Sequence, residues 1–386
     1  MTQTFVRYTP DVDRPESLFD QHMQAILETT LRYIEGSVKA EGVGRAVRDA
    51  HAKGYGLARA EVEILAGTPP QYAQGIYATP GRHEALVSFS NGSPHTGADA
   101  LLGTALGMGL KLFGIEGPAL LEDEPDSGTF DYAMINHPVF FANTVEHYRY
   151  IQGLFLRPHN APSSAEESPA AARTQLHQVL HDFLTGCGQL PPEKWAWEPL
   201  FVLLGARDKP IMNLLLCTYW TMGAVRHGDY VAKVRVAPTE ASAAGVVRRI
   251  IDPASAEEAF RRALVTELRE RPYEFDIQVQ LCIDLAKMPV EEPSELWQEA
   301  LSPFVTVAKL RLPQQDIGGD ENLALQDATS MTPWRVTEEH RPLGNIMRAR
   351  KEVYRQSSIL RHQLNGQVRK EPRNVADVFG AVGAPT

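Results

Sequence analysis

Cysteine is nearly missing from the chain: Cys187, Cys217 and Cys282 are the three in 386 residues. An odd and widely spaced set builds neither a disulfide framework nor a zinc knuckle, and it fits a reducing compartment. Long apolar runs are missing too. Stretches such as LFVLLG (200–205) fall far short of the ~20 residues a membrane span needs, and no carboxy-terminal lipidation box is present. The opening MTQTFVRYTPDVDR lacks the apolar segment of a secretory leader. An excess of basic charge is also lacking. Lys and Arg number 38 against 48 Asp and Glu, for a net charge of −10, which repels a phosphate backbone and argues against a nucleic-acid partner. These absences describe a protein with no membrane span, expected in the cytoplasm.

Several chemical fingerprints are absent as well. There is no G-x-x-x-x-G-K-[ST] phosphate loop and no G-x-G-x-x-G after a strand. No G-x-S-x-G nucleophile elbow occurs. His177 and His181 have the i, i+4 spacing of helical metal ligands, but the glutamate of H-E-x-x-H is missing, so they read as a solvated helix face. Cys217 and Cys282 lie among apolar residues and read as inert core thiols.

What is present is an ordinary folded chain, 43% hydrophobic and 22% charged, long enough for a large core. Residues 1–20 are polar and read as an arm. Residues 21–35 carry apolar positions at helical spacing. The stretches 54–65, 85–90 and 107–114 read as extended. FDIQVQLCIDL (275–285) alternates cleanly, placing Phe275, Ile277, Val279, Leu281 and Ile283 on one face. DYVAKVRVAP (229–238) and FVTVAKLRLP (304–313) read as strands too. Residues 160–173 are a loop by composition, with a helix over 174–184. Residues 255–270 read as a helix opened by a Ser255–Glu258 capping box. Beyond about residue 367 the chain is polar and reads as a poorly ordered tail. Strands and helices do not alternate regularly, which points to an α+β protein with an antiparallel sheet.

One helix carries a chemical signal. Residues 344–364 have helical spacing, and at about 100° per residue Arg350, Tyr354 and Arg361 fall within about 40° of one another. The face presents a phenol between two guanidinium groups. A free phenol titrates near pH ~10, and a neighbouring arginine favours its anion. Tyrosinate is a known axial ligand of haem iron. Taken singly, Tyr354 is a packing residue, His51 a surface histidine and Asn136 a turn residue.

Three segments, in order, resemble the haem catalase family. RDAHAKGYG (48–56) is similar to the family's R-x-x-H-A-[KR]-G segment. VSFSNG (87–92), with Asp99 and GMGLKLFG, leads to DYAMINHPVFF (131–141), similar to the F-S stretch and the N-x-P-x-F-F segment. RARKEVYRQSSILR (348–361) resembles the R-x-x-x-Y segment with a further arginine seven residues on. The likeness runs over roughly residues 40–365. It departs at Ser88, where the family carries an arginine, and after Tyr354, where only Arg361 of a basic run survives. The compact build resembles the catalase-related peroxidase branch.

The resemblance implies a catalase-like antiparallel β-barrel with surrounding helices. It implies one haem domain over residues 21–366, between the arm and a 367–386 tail. The cofactor would be non-covalent ferric haem b, since no C-x-x-C-H attachment site occurs. Carried over, His51 would be the distal base and Asn136 the distal donor, with Ser90 beside His51. Tyr354 would ligate the iron and Arg350 would support it. Arg48 and Arg361 would meet the haem propionates. The expected activity is a peroxidase using hydrogen peroxide or organic hydroperoxides and a small organic donor, through a ferryl intermediate, with weak catalase activity. A fatty-acid hydroperoxide isomerase or dehydratase of the allene oxide synthase kind is the alternative, and a non-catalytic haem-binding protein a third. A homo-oligomer is expected by analogy.

Overall fold

The computed structural model describes residues 4–156, 169–207 and 212–380. In chain order these form α1 (Phe19–Ala40), β1 (Gly54–Ile64), β2 (Gly81–Asn91), α2 (Asp99–Leu102), β3 (Leu106–Phe113), β4 (Thr129–Ile135), α3 (Val145–Phe155), α4 (Pro169–Thr185) and α5 (Trp197–Arg207). They continue with β5 (Tyr219–Trp220), β6 (Val225–His227), β7 (Tyr230–Pro238), α6 (Glu240–Gly245), α7 (Ala259–Glu270), β8 (Tyr273–Leu281), β9 (Val305–Leu312), α8 (Asp320–Ala328), α9 (Asn345–Leu364) and α10 (Ala376–Phe379).

All strand pairings are antiparallel. The sheet runs β5-β4-β3-β2-β1-β9-β8-β7-β6, and β5 also pairs with β7. Eight strands therefore close into a barrel, with β6 appended outside the ring. Closure removes the open edges that an antiparallel sheet would otherwise expose. Period-two alternation decides what faces inward. Val87, Phe89, Leu110, Leu112, Phe130, Tyr132, Val234, Val236, Phe275, Ile277, Val279, Leu281 and Leu310 fill the interior. Ile283, read as part of that face, lies past the end of β8 and packs instead in a second cluster with Cys282, Met288 and Trp297.

Facing outward on β2, β3 and β4 are the small or polar Ser88, Ser90, Gly107, Gly109 and Ala133, with Ile135 at the end of β4 beside Gly107. Helices cover this outer face. α9 packs along α1, joined by Met23, Ile26, Ile346 and Ala349. α3 is fixed by the Glu16 carboxylate, which accepts the amides of Val145 (3.2 Å) and Glu146 (3.0 Å). An acid at a helix N-terminus satisfies free donors and suits the dipole.

Three readings from the sequence are corrected here. The 255–270 helix begins at Ala259, and its first turn is capped from afar: Phe260 N donates to the buried Asp99 carboxylate at 2.9 Å. Ser255 is outside the helix and donates to the Asp252 carbonyl, so the capping box does not form. The helix expected from 174 begins at Pro169, while 160–168 of the expected loop lie outside the described residues. Residues 367–380, read as part of a poorly ordered tail, are held in place. Glu371 pairs with Lys111 and Arg335, both fully buried, and Val375, Val378 and Phe379 pack on Leu57, Leu86 and Phe113. His177 and His181 lie on an exposed helix face. Among the described residues no helix is long and apolar enough to cross a membrane.

Candidate active site

Between the outer face of β2–β3–β4 and the covering helices lies a cavity of about 270 Å³. Its walls come from the 48–51 loop, the three strands, the 326–331 segment at the end of α8 and one face of α9, with Ile26 of α1, the 140–148 segment running into α3, Met222–Gly223 and Pro293 completing them. Arg48, His51, Ser90, Arg350, Tyr354 and Arg361 all line it. Six of the seven residues singled out from sequence thus meet in one place.

His51 sits on the strand side. Its Nδ1 is 3.0 Å from Ser90 Oγ, so Nε2 is the nitrogen left for chemistry. The backbone there is left-handed, with φ 59°, a conformation a non-glycine residue holds only when its surroundings over-determine it. Those surroundings are the Ala52 amide bonded to Ser93 O (3.0 Å) and the Asn91 amide bonded to Lys53 O (3.0 Å). Gly107 makes room opposite: a Cβ there would collide with His51 Nδ1 and Cε1. Burial, then the positive charges of Arg350 and Arg48, push the imidazole down to about 4. His51 is therefore neutral near pH 7 and able to accept a proton.

Tyr354 faces the cavity from α9. One helical turn before it, Arg350 donates from Nη2 to Tyr354 Oη at 2.8 Å and to the Ala133 carbonyl at 3.3 Å. Nη1 of the same guanidinium points at Met347 Sδ, 3.3 Å away.

A third group is cationic. Arg45 and Arg48 pair with Asp327 at 2.8 and 3.4 Å, and Arg361 donates to the Asp327 carbonyl at 2.8 Å. Two guanidinium groups share the Asp327 carboxylate and a third meets only the backbone carbonyl of the same residue, so the group carries an excess of two positive charges. Burial, reinforced by Arg48, lowers Arg361 to about 9, which marks the cost of this crowding and the value of further anions.

Asn136 is not brought in. Its Oδ1 accepts the Leu106 amide at 2.9 Å and its Nδ2 donates to Thr104 O at 3.0 Å. The side chain closes the β3–β4 end, and the residue is not among the cavity walls.

Sequence reasoning missed several wall residues. Gln326 bonds the strand beside Ser88: Nε2 donates to Ser88 Oγ and Phe89 O, both at 2.7 Å, while Oε1 accepts Gly56 N at 3.0 Å. Asp49 lies beside His51 in the chain but turns to α9, where Ser357 Oγ is 3.3 Å away; burial pushes its carboxyl up to about 6. Tyr148 is raised by burial and then by Asp49. No local sequence pattern marks Gln326 or Asp327. Asp49 had a signal, an acid between two residues of a quoted motif.

No protein-family model matches the chain, and no curated protein does. Solved structures do. A fungal catalase matches over 100% of this chain and 74% of its own, at 16% identity and TM-score 0.60. Catalase A from Saccharomyces cerevisiae matches over 99% and 76%, at 15% identity and TM-score 0.61. A bacterial catalase matches over 99% and 68%, at 15% identity and TM-score 0.58. The architecture is the catalase fold: α+β, a closed antiparallel barrel with surrounding helices.

The walls fit a flat, dianionic, iron-bearing macrocycle on the geometry alone. The strand face is stripped of bulk at Gly107, Gly109 and Ala133. A phenol backed by a guanidinium faces it, and the arginine group carries two uncompensated charges.

Proposed function

We propose that the protein is a haem-dependent peroxidase, reducing hydrogen peroxide or organic hydroperoxides with electrons from a small organic donor, and with weak catalase activity. The observation that carries this reading is the pairing of Arg350–Tyr354 with His51–Ser90 across one cavity. Non-covalent haem b would supply the redox-active iron at which the peroxide bond is cleaved. Tyr354 would hold the iron, and Arg350 would hydrogen-bond its phenol oxygen. Arg48 and Arg361 would take the two propionates.

His51 carries the proton chemistry. Neutral Nε2 accepts the proton of the incoming peroxide oxygen and returns it to the oxygen that departs. The bond at Nδ1 to Ser90 fixes the ring plane during both transfers. Because Asn136 is committed to backbone groups, peroxide orientation rests on His51 and cavity shape, which favours slow dismutation over fast. The reading places the protein in the cytoplasm, as a homo-oligomer.

A second reading is favoured by one observation. Phe140, Phe141, Val145, Ile26 and Ile346 make part of the wall apolar, which suits a hydroperoxide with a hydrocarbon tail. Incubation with a lipid hydroperoxide and no reductant separates the two. An epoxide or aldehyde indicates isomerase or dehydratase chemistry, whereas peroxidase chemistry gives alcohol only when a donor is added.

The test of the main reading is the visible spectrum of protein expressed with haem supply, beside Tyr354→Phe. A high-spin ferric Soret spectrum altered by the substitution is expected. A colourless protein that cannot be reconstituted would overturn the reading.

A further inference from the structure

The chain has nine methionines. Five of them, Met108, Met134, Met222, Met331 and Met347, border the one cavity. That is far more than the share of the chain lining it would supply. The side chains of Met108 and Met134 belong to the barrel core, so the thioethers offered to the cavity are those of Met222, Met331 and Met347 on the covering segments. A thioether is the side chain that a peroxide converts to a sulfoxide, so this cavity concentrates the residue its proposed substrate attacks.

Met347 stands apart from the other four by its contact. Its Sδ receives Arg350 Nη1 at 3.3 Å, and the same guanidinium donates to Tyr354 Oη at 2.8 Å. Its shaft is held tightly, because a Cβ at Gly223 would collide with Met347 Cγ. A thioether is a weak acceptor. A sulfoxide oxygen is a strong one, and it faces a cation at hydrogen-bond range.

We propose that Met347 is a site of peroxide-dependent sulfoxidation that retunes Tyr354 through Arg350. The inference rests on the peroxidase reading for its substrate. The step balances: the sulfur lone pair attacks one hydroperoxide oxygen, the O–O bond breaks, and the proton passes to the departing oxygen. The products are methionine sulfoxide and one water, or one alcohol from an organic hydroperoxide. Sulfur is oxidised by two electrons and peroxide is reduced by two, with no further reagent. The new S=O draws Nη1 and turns the guanidinium, so the Nη2 bond to Tyr354 Oη lengthens. With Gly223 blocking retreat, the added oxygen also projects into the cavity and narrows it. Excess peroxide then lowers the activity of the site that consumes it.

The experiment treats the holoprotein with hydrogen peroxide in rising molar ratio, without donor. Sulfoxide is mapped by peptide mass spectrometry and the Soret band is followed in parallel. Met288, fully buried in a separate cluster, is the internal reference. Met347 should gain one oxygen at least tenfold faster than Met288, and the Soret band should shift in step. Met347→Leu should still bind haem and should lose the peroxide-induced shift relative to its own starting spectrum. Treatment with a methionine sulfoxide reductase should restore the wild-type spectrum. Oxidation of Met347 no faster than Met288 overturns the proposal, and so does an equal Soret shift in Met347→Leu. Failure of the haem reading is a separate result: no Soret band in any sample, while the peptide masses still report on Met347.

Discussion

Gly107→Ala adds one methyl group where the structure leaves no space for it. The glycine lies in β3 with ordinary strand backbone, so alanine is not refused on conformational grounds. The new Cβ would overlap His51 Nδ1 and Cε1 and stand 2.8 Å from Ser90 Oγ. Both neighbours sit in a rigid setting: Ser90 is in β2, paired directly with Gly107, and His51 already holds a left-handed backbone. Overpacking of this kind costs about 1–3 kcal/mol. The functional cost is larger. The methyl group must push the imidazole off its axis by an amount on the order of 1 Å, and a displacement of that size costs about a hundredfold in rate. Tyr354, Arg350 and the arginine group are untouched, so cofactor content should be unchanged. The assay pairs thermal unfolding with stopped-flow reaction of the loaded protein with hydrogen peroxide. Gly109→Ala is the control. Its Cβ would meet Met331 Sδ, the far end of a flexible side chain, and should change the rate by less than about threefold. The reasoning is refuted if Gly107→Ala reacts as fast as wild type, or if the two variants are impaired alike.

Three further outcomes follow from the same geometry. His51, held near 4 rather than 6.5, is the proton acceptor in the proposed reaction; the acidic limb of the peroxide rate should therefore fall near pH 4, and a limb near 6.5 would remove the imidazole from that role. Asp49 has its carboxyl raised from 3.8 to about 6. The folded state is thus favoured while the group is protonated, and that advantage is lost as pH rises from 3.8 through 6. Asp49→Asn should then stabilise the protein above pH 6 by up to about 3 kcal/mol in urea unfolding, at ~1.36 kcal/mol per decade, with no gain below pH 4. Glu371→Ala removes one acid from the buried group of Lys111, Arg335, Asp131 and Glu124. It should cost about 3 kcal/mol and speed proteolysis around residues 367–374, and unchanged cleavage would show that apolar packing alone holds that segment.

The parts of this molecule legible in its sequence are those set by short-range pattern. Phe275, Ile277, Val279 and Leu281 alternate because one side of β8 meets the barrel interior, and a two-residue period is local information. Arg350, Tyr354 and Arg361 share a face because a helix repeats every 3.6 residues. His51 and Ser90 were found through a resemblance in order and spacing, and the structure brings them to 3.0 Å. What escaped was decided across long separations. Asp99 caps α7 from 161 residues away, and no pattern near Ser255 reveals that the local box goes unused. Gln326 bonds to Ser88 across 238 residues; its own helix offers no hint, because an amide among polar residues is ordinary there. Asn136 shows the opposite failure. Its motif is present, but the amide is spent on the backbone of residues 104–106, which only coordinates disclose.

The cavity's two chemical sides belong to distant ends of the chain. His51 and Ser90 are made early and stand on the barrel, whereas Tyr354, Arg350 and Arg361 arrive on α9, after the last strand. Bringing such ends together closes a very long loop, a slow step for any fold. Until α9 docks against α1, the small-residue face of β2–β3–β4 is an open shelf with no opposite wall. A flat ligand laid on that shelf would meet the imidazole but no phenol and no Arg361. On the proposed reading, cofactor capture would be tied to completion of the fold: α9 is the last wall and carries Tyr354, so a chain that stalls before it docks would not hold the group in a reactive but unfinished site.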